Sequence, residues 1–194
     1  MKKLFLLAIL AFVTSVTFAQ ELSWNVKAGM NMSSISKIDD SKMKIGFNAG
    51  VGATYAFDET WSIRPSLLFT TKGVKQDYDG EKITCNPMYI ELPVMGAVSF
   101  PISDGMNLVI STGPYFAYGI GGKAKFGDEK IDLFGDGEDK AGFKRFDCGW
   151  GAGITAEFGK FFVGLNGEFG ITKVMDGDES PKNSNFSIGI GLKL

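Results

Sequence analysis

The chain has 194 residues, with 20 lysines and arginines against 22 aspartates and glutamates and no histidine. There is no basic surplus to attract nucleic acid. The missing imidazole also removes Ser-His-Asp triads and histidine-based metal centres. The sequence therefore predicts no enzyme, no catalytic residue, no metal, no cofactor and no nucleic-acid partner.

The N-terminus reads Met1-Lys2-Lys3, then runs apolar from Leu4 to Val13 and reaches Thr17-Phe18-Ala19. A charged start, a short apolar run and a small residue at the cut form a secretory signal peptide. An anchoring helix would need about 20 apolar residues, and Thr14, Ser15 and Thr17 interrupt this one. The expected organisation is a signal peptide over 1–19 and one domain over 20–194. Without Lys2 and Lys3, 18 basic residues face 22 acidic ones, a net charge of −4. The counts of 26 Gly, 17 Phe, 5 Tyr and 3 Trp suit a β-barrel better than a helical protein.

Eight segments alternate between apolar and polar residues, the period of a strand with one greasy face. They run from Trp24 to Met32, Ile45 to Phe57, Trp61 to Thr70 and Met88 to Phe100. The others run from about Asn107 to Gly119, Phe143 to Phe158, Phe161 to Thr172 and Ser184 to Leu194. Each is close to or above the nine to eleven or so residues that a tilted strand needs to cross a bilayer. Pro65 and Pro93 fall inside strands and predict breaks in pairing, since proline has no N–H to donate.

Connections after the second, fourth and sixth segments are short: Asp58 to Thr60, Pro101 to Met106, and Gly159-Lys160. Those after the first, third, fifth and seventh are long: about Ser33 to Met43, Gly73 to Pro87, Ile120 to Gly142, and Lys173 to Asn183. Such sorting belongs to outer-membrane barrels, with short periplasmic turns and longer outer loops. Trp24, Tyr55, Phe57, Trp61, Phe100, Phe158 and Phe161 cluster at the short-turn ends. Phe69, Tyr118, Phe146, Trp150 and Phe186 lie nearer the long-loop ends, giving two interfacial belts. The expected fold is all-β: an eight-stranded antiparallel up-and-down transmembrane β-barrel. Its last strand should close on the first, with Lys193 turned into the lumen.

The leader, the Asn25-Val26-Lys27-Ala28-Gly29-Met30-Asn31 opening and Tyr89-Ile90-Glu91-Leu92-Pro93 resemble the PorT-type, OmpX/OmpA-like outer-membrane β-barrel family of Gram-negative Bacteroidota. Gly113-Pro114-Tyr115 and the glycine-rich last strands add to the likeness, which spans the mature chain. The ending Gly189-x-x-Leu192-x-Leu194 is similar to the signal read by the barrel-assembly machinery. The resemblance implies an outer-membrane location, lipid and that machinery as partners, a monomer, and envelope or secretion-complex partners. It does not specify an activity.

The polar face carries Lys27, Lys44, Arg64, Lys72, Glu91, Asp147, Glu157, Glu168 and Lys193. An eight-stranded barrel has an interior just wide enough for side chains to fill, so these charges must pair or stay wet. The expected arrangement is one network of Arg64 with Glu91, Glu157 and Glu168, with Lys27 nearby. Cys85 and Cys148 are the two thiols, and a bridge between them is an open alternative. The acidic groups at Asp128, Glu129, Asp132, Asp136, Glu138 and Asp139 lack EF-hand spacing and read as solvated loop. The functional expectation is a barrel with a blocked polar lumen, acting through its outer loops in surface interaction or envelope integrity, or within an export assembly. The alternative is a narrow pore for protons or very small solutes.

Overall fold

The computed structural model describes residues 22–36, 41–78, 81–127, 129–135, 140–175 and 180–194. The signal-peptide segment lies outside them. Eleven strands follow in order: β1 (Leu22–Ile35), β2 (Ser41–Ala56), β3 (Trp61–Thr71), β4 (Val74–Tyr78), β5 (Glu81–Ser103) and β6 (Met106–Phe126). They continue as β7 (Glu129–Phe134), β8 (Lys140–Phe143), β9 (Phe146–Phe158), β10 (Phe161–Gly170) and β11 (Asn183–Lys193).

Eight of these form a closed antiparallel circuit. Pairing runs from β1 to β2, β3, β5, β6, β9, β10 and β11, and β11 pairs back to β1. The closing ladder extends from Asn25↔Lys193 to Ile35↔Asn183, as the terminal alternation predicted. Tight turns make the short connections. Asp58 Oδ1 accepts from the backbone N–H of Thr60 at 2.7 Å and of Trp61 at 2.6 Å. Gly105 and Gly159 take φ of 75° and 56°, which other residues adopt only with strain.

Both prolines break the ladder. On the β3–β5 side, pairing jumps from Pro65↔Val94 to Leu68↔Glu91. On the β5–β6 side it jumps from Pro93↔Tyr115 to Gly96↔Thr112.

The apolar alternate positions point outwards. Trp24, Met30, Phe47, Leu165 and Ile188 are exposed, whereas Asn31, Glu91, Asp147 and Asn185 are buried. A soluble ligand-binding barrel has the opposite arrangement, so this surface belongs against lipid.

The departure from expectation lies at the long-connection end, where eleven strands replace eight. β5 and β6 reach 23 and 21 residues, well past the span of a bilayer, and β4, β7 and β8 add to their extensions. Segments expected to be solvated loop thus enclose an apolar core of Ile35, Val74, Tyr89, Tyr115, Leu133, Phe134, Phe143 and Val174. Gly119 permits close approach of the Phe134 ring, which occupies the space a Cβ would need. Ile131 and Leu133 alternate with Lys130 and Asp132, so β7 is a genuine two-faced strand. Its burial, rather than its charge count, decides its structure.

Candidate functional site

Inward-facing positions converge on a polar lumen that holds two separate ion-paired groups. Near the short-turn end, Arg64 Nη1 lies 2.7 Å from Glu157 Oε1, and Lys193 Nζ contacts Glu157 Oε2. Arg64 Nε also donates to Ser62 Oγ at 3.2 Å. The turn of Lys193 into the lumen follows from the alternation of β11, and it brings the end of the chain onto β9.

Nearer the long-connection end, fully buried Lys72 is held between two carboxylates. Its Nζ lies 2.6 Å from Glu91 Oε2 and 3.1 Å from Glu168 Oε2. The same ammonium sits 4.3 Å from the centroid of the Tyr115 ring, a favourable placement over the aromatic face. Asn185 Nδ2 donates to Glu168 Oε2 at 3.0 Å.

Asp147 anchors a third arrangement beside Lys72. It accepts from Tyr115 Oη at 3.2 Å, Thr172 Oγ1 at 2.9 Å and Asn183 Nδ2 at 2.8 Å. Thus β6, β9, β11 and the segment after β10 are tied at one level. Across the lumen, Asn31 Nδ2 donates to Thr70 Oγ1 at 2.8 Å and to the Thr71 carbonyl at 3.1 Å, while Asn48 Nδ2 donates to Asn31 Oδ1 at 2.6 Å.

These contacts correct the single network expected from sequence. Arg64 and Glu157 do come together, and Glu91 and Glu168 do come together, but Arg64 does not join the two pairs. The registers explain why. Arg64 stands opposite Met95, and Glu91 is four residues further along β5, about 14 Å at the usual strand rise. Glu157 stands opposite Phe162, six residues from Glu168, or about 20 Å on the same rise. Lys72 supplies the missing cation.

Lys27 lines the cavity beside these groups without an ion pair among the described residues. Glu168 and Glu91 attract its ammonium, and Arg64 repels it. The inward-facing cations Lys27, Lys44, Arg64, Lys72 and Lys193 thus stand against the anions Glu91, Asp147, Glu157 and Glu168. Between the two salt-bridged groups is an internal space of about 120 Å³ lined by Asn25, Asn48, Ser66, Asn166 and Asn185 among others. At about 30 Å³ of liquid volume per molecule, that space has room for several waters.

Cys85 and Cys148 are free thiols. Cys85 stands opposite Ala124 and Cys148 opposite Phe116, eight residues apart on the intervening β6. That is about 26 Å along the strand, far beyond the roughly 7 Å limit for a disulfide. Burial against the outer core also pushes the Cys85 thiol up from its ordinary pKa. Among the described residues no cluster of three metal-binding side chains forms.

The sequence match adds a decisive observation to this geometry. The model of the outer membrane protein beta-barrel domain matches residues 18–176. The chain belongs to this family. Its place is the outer membrane of a Gram-negative bacterium.

No curated protein matches the sequence. Among solved structures, the chain is similar to Neisserial surface protein A, at 12% identity and a TM-score of 0.53, with 90% of this chain and 99% of that one covered. It is also similar to the attachment invasion locus protein Ail of Yersinia pestis (19% identity, TM-score 0.48, 90% and 99% covered). The outer membrane protein OprG of Pseudomonas aeruginosa gives 13% identity and a TM-score of 0.47, with 89% and 95% covered. These likenesses concern the fold.

Proposed function

We propose that this chain is a closed, non-conducting outer-membrane barrel that acts through its long-connection end. That end would face the exterior and serve surface interaction or envelope integrity, or act within an export assembly of the PorT type. The observation that carries the reading is the double seal of the lumen. Lys72, Glu91 and Glu168 meet across the lumen with their heads buried, and Tyr115, under the Lys72 ammonium, belongs to the same apolar core as Phe134 and Leu133. An unpaired charge here would cost several kcal/mol, so the seal resists opening.

The closed circuit has no free long edge for a second barrel to extend, which supports a monomer surrounded by outer-membrane lipid. The barrel-assembly machinery would read the C-terminal strand after export through the cleaved leader over 1–19. The lumen groups serve structure in this reading, not catalysis, and they need no cofactor.

A second reading, a narrow pore for protons or very small solutes, draws on the wet internal space between the two charge groups. Planar-bilayer recording separates the two. The closed reading expects no steps above background for the wild type or for Arg64→Ala, because the Lys72 group still seals the lumen. Steady single-channel steps in the wild type, altered by Arg64→Ala, would overturn it.

A further inference from the structure

Lys27 is the cation that the ion pairs of the chamber leave out. Among the described residues it has no salt bridge or hydrogen bond, whereas Arg64, Lys72 and Lys193 each hold a carboxylate. Its in-register neighbours are both glycine, Gly191 on β11 and Gly50 on β2. Side chains from the next strands use the room these glycines leave. The Phe162 ring lies where a Cβ on Gly191 would be, and Leu68 leans over Gly50. Lys27 therefore stands between two apolar groups, and all three line the internal space of about 120 Å³.

That space has an apolar side and a cationic one. Pro93 and Met95 of β5 join Leu68 and Phe162 on the first. Arg64 stands in register with Met95. Its Nε and Nη1 donate to Ser62 and Glu157, and its Nη2 has no partner among the described residues. Both oxygens of Glu157 are occupied, by Arg64 and Lys193, while Lys72 holds Glu91 and Glu168. The charged donors left over are cationic, and the carboxylates are engaged. Around the whole lumen five inward-facing cations stand against four anions, which favours one further negative charge.

The chamber is reached from the short-turn end. There the side chains of Lys193 and Arg64 are 32% and 21% exposed, whereas those of Lys72 and Glu91 at the far end are 0% and 2% exposed. A space of a few waters admits a small organic anion and excludes a sugar or a lipid.

We propose that this chamber is a binding site for a short-chain monocarboxylate. The carboxylate sits between the Lys27 ammonium and Arg64 Nη2 in charge-assisted hydrogen bonds. Its hydrocarbon tail lies against Leu68, Phe162, Pro93 and Met95, the division of labour usual in small-ligand pockets. Arg64 repels Lys27, and an anion between them turns that repulsion into two attractions. The site lies on the short-turn side of the Lys72 group, so its occupation leaves the closed end intact.

Methionine-methyl NMR of the folded, mature chain in detergent provides the test, with butanoate, acetate, butanol and inorganic phosphate as probes. Met95 lines the chamber, while Met30 and Met32 face outwards and report any probe that merely enters the micelle. Butanoate should shift Met95 saturably and leave Met30 and Met32 in place. At about fourfold per buried methylene, butanoate should bind about fifteenfold more tightly than acetate. Butanol, without the charge, should bind about tenfold or more weakly than butanoate. Lys27→Gln should weaken butanoate by the same factor, whereas Lys130→Gln, exposed on β7, should not change it. Heat-modifiable migration on gels checks that Lys27→Gln is folded, and the comparisons among probes need no variant.

A stationary Met95, equal binding of butanoate and butanol, or no dependence on tail length would each overturn the proposal. So would tighter binding of phosphate than of butanoate, or unchanged affinity in folded Lys27→Gln.

Discussion

Replacing Lys72 by methionine tests the lumen most directly. Its side chain is fully buried, with Glu91 and Glu168 within salt-bridge reach and Tyr115 beneath the ammonium. Methionine retains most of the stem and removes the charge. Glu91 and Glu168 would then lose their shared direct cation, with Lys27 left as a more distant attraction. Breaking a buried pair by removing one partner costs about 3–5 kcal/mol, and the lost contact with Tyr115 adds up to about 2 kcal/mol where desolvated. Water in the adjoining cavity screens part of this, so we expect a loss of about 3 kcal/mol for Lys72→Met. The assay is reversible urea unfolding in lipid vesicles, followed by tryptophan fluorescence and by gel migration.

Charge is the intended cause, and the double variant isolates it. Lys72→Met with Glu91→Gln leaves one carboxylate, still held by Asn185, and should recover at least half the lost stability. Such recovery is expected because removal of both members of a buried pair is often nearly neutral. Two results would refute the reasoning: a single variant within about 1 kcal/mol of the wild type, or a double variant no better than the single. Either would mean that the lumen holds its carboxylates by hydration rather than by Lys72.

Two further outcomes follow from the outer core and the thiols. Gly119→Ala puts a Cβ where the Phe134 ring lies; overpacking of this kind costs about 1–3 kcal/mol, and limited proteolysis should show faster cleavage around Phe134 with the barrel itself intact. The mature chain should show two alkylatable thiols after denaturation and no mobility change with reductant. In the folded state Cys85 should react more slowly than an unburied thiol at neutral pH and faster as pH rises, because burial holds it protonated. A reductant-sensitive band shift would contradict the separation of Cys85 and Cys148.

Legibility from sequence tracked how regular the local pattern is. The eight long strands, the closing ladder and the outward apolar face follow from strict alternation, which a one-residue slip would invert throughout. Lys193 follows from the same rule, since its neighbours Leu192 and Leu194 must face lipid. Lys72 illustrates the limit. Its residue type and face could be read, but its role as hub could not. It lies just beyond β3, next to Gly73 at φ 140°, where the regular phase of the strand ends. Its reach to Glu91 and Glu168 depends on three strands that the sequence does not align. Arg64 seemed better placed because it lies within a strand, yet register sets it four residues, about 14 Å, from Glu91. The outer core was hidden for another reason. In Glu129-Lys130-Ile131-Asp132-Leu133-Phe134, three apolar positions sit among charged neighbours, and charge density suggested solvent. The alternation of Ile131 and Leu133 was the available signal, since only a second layer can bury such a short strand face. That layer exists because β5 and β6 continue past the membrane.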